Sequence, residues 1–104
     1  MDFKKLAENL GLEEDEFVEL VELLVDTGKP QIVELREAVT AENGEGIRNI
    51  AHSLKGASGN LGLMEISKEA KKIEDDCVSK NFQAVSESVE KMELLLDALS
   101  VACR

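Results

Sequence analysis

The sequence predicts an all-α fold: an antiparallel four-helix bundle with a short extra helix at its N-terminal end. Three observations carry that prediction. Apolar residues recur at three- and four-residue spacing along almost the whole chain, and no useful length alternates in the two-residue rhythm of a strand. The breaks between these stretches are short and built from Gly, Asn and Pro, so consecutive helices must turn back on one another. The chain has 104 residues, which is one domain, residues 1–104, large enough to bury roughly 65% of its extended surface without metal or disulfide.

Taken in order, Asp2 caps a short first helix with Phe3, Leu6, Ala7 and Leu10 on one side, and Gly11 closes it. A second helix is expected from Glu13 to Thr27, its acidic first turn facing the positive end of the helix dipole. Phe17, Leu20, Val21, Leu24 and Val25 form its stripe, and Gly28 stands where a C-terminal cap belongs. Pro30 then opens a third helix, with Ile32, Leu35, Ala38 and Val39 inward. Asn43-Gly44-Glu45-Gly46 breaks the chain before a helix from Ile47 to Leu61. The next runs from Met64 to Lys80 with Ile66, Ala70, Ile73 and Cys77 inward. Asn81 caps the last, which shows Val85, Val89, Met92, Leu96 and Leu99 at helical spacing and continues almost to Arg104.

Composition removes whole classes of function. The formal net charge is −10, the wrong sign for coating nucleic acid or adhering to acidic membranes. With no Trp, no Tyr and three Phe, base-stacking platforms and aromatic cages are not expected. Cys77 and Cys103 form no CxxC motif and read as inert, reduced thiols. No stretch has the length of a membrane span or the apolar run of a signal peptide, so a cytoplasmic protein is expected. No heptad seam of coiled-coil length is present, and a monomer is expected. Met1 and the acidic balance suit a free-standing protein better than a domain cut from a longer one.

The informative stretch is Ile47 to Gly62, IRNIAHSLKGASGNLG. At about 100° per residue, Ile47, Ile50, Ala51, Leu54, Ala57 and Leu61 share one arc of roughly 120°, with Ser58 at its edge. His52, the only histidine, points the other way. Arg48, Lys55, Gly56 and Gly59 are its neighbours on that outer face. An interior glycine costs a helix about 1 kcal/mol relative to Ala, and core packing does not explain two of them facing water. A close approach by another protein surface does. Gly62 is placed to end the helix in a left-handed turn. Ser58 can bond the Leu54 carbonyl, a structural role. Arg48 reads as a surface ion-pair residue or a docking contact, and Asn60 as a surface amide or a docking contact. Lys68, Lys71 and Lys72 on the following helix balance Glu69, Glu74 and Asp75 or share the docking face.

One exposed imidazole does not make a metal site without further donors. A Cys–His nucleophile pair would need Cys77, which lies on a core stripe. No nucleophile elbow, phosphate-binding glycine loop or kinase motif is present. What remains for a single ring nitrogen is to take up a phosphoryl group and hand it on, with Lys55 offsetting the added charge.

AHSLKGASGNLG, residues 51–62, resembles the signature of histidine-containing phosphotransfer (HPt) domains of bacterial phosphorelays: His52, Leu54, Lys55, Gly56, Ala57, Ser58 and Gly62 all match. The resemblance implies a four-helix bundle and an exposed phosphoaccepting His52. It implies transfer from a receiver-domain aspartyl phosphate, fed by a hybrid sensor histidine kinase, to a response-regulator aspartate. Lys55 would steady the phosphoryl group and Gly56 would leave room for the receiver; Arg48, Gly59 and Asn60 are further candidates for docking. The chain itself would hold no metal or other cofactor, the receiver bringing Mg, and would be a carrier rather than an enzyme. A helical adaptor that binds a signalling partner without chemistry is the competing class.

Overall fold

The computed structural model describes residues 2–103; Met1 and Arg104 lie outside the described residues. Five helices follow one another: α1 Phe3–Asn9, α2 Glu14–Thr40, α3 Gly44–Asn60, α4 Met64–Val78 and α5 Phe82–Ala102. Helices α2 to α5 form a closed ring of neighbours, α2 on α3, α3 on α4, α4 on α5 and α5 back on α2. Helix α1 lies against α2, where the Phe3 and Phe17 rings meet at 5.8 Å in a tilted pair. The core of the ring is filled by Phe17, Ile32, Leu35, Ile47, Leu54, Ile73, Met92, Leu96 and Leu99.

The main correction to the sequence reading falls on α2. Gly28 caps nothing and Pro30 opens nothing; both lie inside one helix of 27 residues. At 1.5 Å per residue such a helix is about 40 Å long, which matches the 41 Å long axis of the molecule. Gly28 is buried where α2 meets α5 and α3, and a Cβ there would stand 3.1 Å from Leu96 Cδ1 and 3.7 Å from Leu54 Cδ2. Its lack of a side chain lets three helices converge. Pro30 is exposed, so the carbonyl that loses its helical donor can turn to water. Because the two predicted segments are one, the bundle has four long helices.

Local signals set the other boundaries. Asn43 caps α3 by accepting from the Gly46 amide at 3.1 Å, so the helix begins at Gly44 rather than Ile47. Asn81 does the same for α5 through the Ala84 amide, and Asp2 for α1 through Lys5. Gly62 adopts φ 74° and ends α3 in a Schellman turn, with Leu63 N–H donating to Ser58 O at 2.9 Å and Gly62 N–H to Gly59 O at 3.0 Å. Leu20 and Ala57, assigned to buried stripes by periodicity, are exposed. They line an open apolar groove between α2 and α3 with Leu23, Leu24, Thr27 and Leu61. Glu69, assigned to a polar face, is instead buried and lies 3.5 Å from Lys91 on α5.

Candidate functional site

Helix α3 turns its apolar residues Ile47, Ala51 and Leu54 into the core, and that rotation drives His52 outward. The imidazole is 75% exposed. Ser58 anchors the wall beneath it: its hydroxyl is buried and donates to the Leu54 carbonyl at 2.6 Å. One turn on from His52, a Cβ at Gly56 would meet no atom within 4 Å. The space beside the ring is therefore open to a visitor and is not used by the fold.

Gly59 has a second duty. It is exposed, but a Cβ there would stand 3.4 Å from Ser67 Oγ on α4. Ser67 Oγ in turn donates to the Lys55 carbonyl at 3.4 Å. The missing side chain thus eases the close approach of α3 and α4, and water alone is not what Gly59 faces.

Lys55 does not reach into solvent unaided. Its Nζ lies 2.8 Å from Glu74 Oε1 on α4, with the two side chains 30% and 20% exposed. The pair is held by charge; that oxygen is buried and has no well-aligned hydrogen-bond donor among the described residues. The other oxygen, Oε2, faces His52 Nδ1 at 3.7 Å. Three side chains from two helices thus form one cluster: imidazole, ammonium, carboxylate.

Arg48 is exposed on the same face and makes no ion pair among the described residues. Asn60 is exposed at the end of α3. Lys68, Lys71 and Lys72 are exposed on α4, and Lys71 pairs with Asp75 at 3.0 Å. Cys77 is not available to His52: its thiol donates to Gly44 O at 3.3 Å, and burial pushes its pKa up. Among the described residues no group of three or more His, Cys, Asp or Glu could hold a metal ion.

The cluster thus sets a largely exposed imidazole beside a Lys55–Glu74 ion pair, with open space at Gly56. The model of the Hpt domain matches residues 19–102. The chain belongs to the Hpt domain family. Neither the curated proteins nor the solved structures give a match. Hpt domains carry out histidine phosphotransfer in phosphorelays, interacting with receiver domains and kinases, and the helical bundle is the family's architecture. The matched segment starts within α2, so α1 lies outside it. No described helix is long and apolar enough to cross a membrane.

The site residue that sequence reasoning missed in this Hpt domain is Glu74. Its surroundings in sequence, Lys71, Lys72 and Asp75, present it as one charge in a balanced helix face. The available signal was helical phase: Glu74 lies one residue from the buried Ile73 and three from the buried Cys77, which turns it toward the flank of the α4 stripe rather than its centre. Only the packing of α4 on α3 tells which flank that is.

Proposed function

We propose that this Hpt domain carries a phosphoryl group on His52, accepting it from a receiver-domain aspartyl phosphate, in a pathway fed by a hybrid sensor histidine kinase, and passing it to a response-regulator aspartate. The observation that supports this most is the exposed imidazole with open space at Gly56 and an ammonium within the same cluster.

In the forward step, a lone pair of the neutral ring, on Nε2, attacks phosphorus. The bond from phosphorus to the aspartyl oxygen breaks, and its electron pair stays on the carboxylate. The transition state is loose, so positioning and charge neutralisation dominate. Lys55 lies one turn from His52 and is the cation within reach of the arriving charge of about −2. Gly56, Gly59, Arg48 and Asn60 form the docking surface, and Ser58 and Gly62 hold the helix that presents it. The reverse step, onto a second receiver, uses the same contacts. The receiver brings the divalent cation and its acidic pocket, so the Hpt chain needs no cofactor and has no turnover of its own. A monomer in the cytoplasm suits this shuttle between partners.

The test separates carrier from adaptor. A receiver loaded with a small phosphodonor is mixed with the protein and with His52→Gln, and both are run on a Phos-tag gel. The carrier predicts an acid-labile shifted band in the wild type and none in His52→Gln. A band that survives acid or the substitution, or no band beside a receiver that binds tightly, contradicts it.

A further inference from the structure

Helix α5 is apolar on two sides. Leu96 and Leu99 fill the core, while Leu94 and Val101 stand 64% and 63% exposed on the outer side. Ala98, one turn after Leu94, is exposed between them. From Leu94 to Cys103 the one charged residue is Asp97, and Lys29 of α2 lies 3.7 Å from its carboxylate. In a chain that is 33% charged, so long an uncharged outer stripe is not what a solvated helix face requires. Beside the stripe opens an apolar cavity of about 420 Å³, between α5, the turn from α3 to α4, and α1. Leu6, Leu63, Ile66, Leu95 and Ala98 line it, with Glu65 its one charged lining residue. The gap exists because, among the described residues, α1 packs on α2 and not on α5.

We propose that this face binds a second copy of the chain, α5 of one against α5 of the other, with Leu94 and Val101 of each entering the cavity of its partner. Projecting side chains and the hollow that takes them lie on the same face, so the surface is self-complementary, as a two-fold contact requires. Charge selects the same face. Glu16, Glu19, Glu22, Asp26, Glu34 and Glu37 are exposed on α2 and have no ion-pair partner among the described residues. Two copies meeting there would repel. On α5, by contrast, Glu93 and Asp97 are already matched by Arg36 and Lys29 of their own chain.

Specific interfaces bury about 800 Å² per partner, and two turns of α5 with the rim of the cavity supply about half of that. The pairing is therefore weak, with a dissociation constant of about 100 μM. The dilute chain is the monomeric shuttle proposed above. Among the described residues α5 neighbours α2 and α4 and not α3, so the contact leaves the α3 face free. A pair would present two His52 rings to receivers at once.

Sedimentation equilibrium between about 10 μM and about 1 mM spans that constant. The mean mass is expected to rise from one chain toward two. Leu94→Glu and Val101→Glu should each weaken the pairing tenfold or more. Leu23→Glu, at a residue equally exposed on α2, should not. Circular dichroism checks that all three fold. Amide signals that shift on dilution should lie on α5, on α1 and at the start of α4. A chain that stays single at about 1 mM leaves this face to a different partner and overturns the proposal. So does pairing that survives both α5 substitutions, or dilution shifts centred on residues 48–60. Leu94→Glu should still take a phosphoryl group from a receiver at the wild-type rate, so loss of pairing and failure of the carrier reading are distinguishable.

Discussion

A Cβ placed at Gly56 meets nothing within 4 Å, although the position lies inside α3, where glycine costs about 1 kcal/mol relative to Ala. The fold would be better served by almost any other residue. Gly56→Ala is therefore expected to raise stability by up to about 1 kcal/mol in urea unfolding. Gly56→Leu should fold as well as the wild type and yet slow receiver-dependent phosphorylation by about tenfold or more, because the added bulk stands in the open space beside His52. Equal transfer rates would mean that the space is not used by a partner. This residue-scale logic was legible in the sequence: His52, Lys55 and Gly56 sit within two helical turns, and one projection relates them. Glu74 was not legible, because it meets them only through the packing of α4 against α3, a distance no local pattern encodes.

Within α2 the local signals and the tertiary structure disagree, and the tertiary structure prevails. Gly28 followed closely by Pro30 has the punctuation of a helix end and a new start. The buried convergence of Gly28 with Leu96 and Leu54 holds the helix through it. Two substitutions separate these roles. Pro30→Ala supplies the missing backbone donor at an exposed position and should stabilise the protein by about 1–3 kcal/mol, a rise in Tm of several degrees for a domain of this size. A segment that really ended at Gly28 would gain little. Gly28→Val should lower stability by about 1–3 kcal/mol through overpacking, since the fully buried Leu96 has little room to withdraw. The remaining helices were legible to within a few residues because their caps, Asp2, Asn43, Gly62 and Asn81, act on their own neighbours. Leu20 and Ala57 were misplaced because periodicity gives the centre of an apolar stripe more firmly than its edges.

Taken whole, the molecule separates its structural charges from those of its site. Residues 44–80, which form α3 and α4, carry six Lys or Arg and six Asp or Glu, whereas residues 2–43 carry four and twelve. Most of the excess negative charge thus lies on the α1 and α2 side, and the face that presents His52 is balanced. The bundle is closed between α2 and α5 by Arg36 and Glu93, bonded in a two-pronged pair at 3.0 and 2.9 Å. The Arg36 hydrogen bond holds the Glu93 carboxyl below its ordinary value of 4.5. A carboxyl depressed in the folded state adds stability above its unfolded pKa and loses it as the pH falls through the folded one. Glu93→Gln should therefore flatten the loss of stability below pH 4.5 and change little near neutrality, since the pair is exposed; acid titration followed by circular dichroism measures both. The most direct measurement of the central claim is phosphorus NMR of isotope-labelled protein after incubation with a phosphorylated receiver. The account predicts a single phosphoramidate resonance coupled to Nε2 of His52, which disappears in acid. A resonance that persists in acid, or that couples to no nitrogen of the His52 ring, would contradict it.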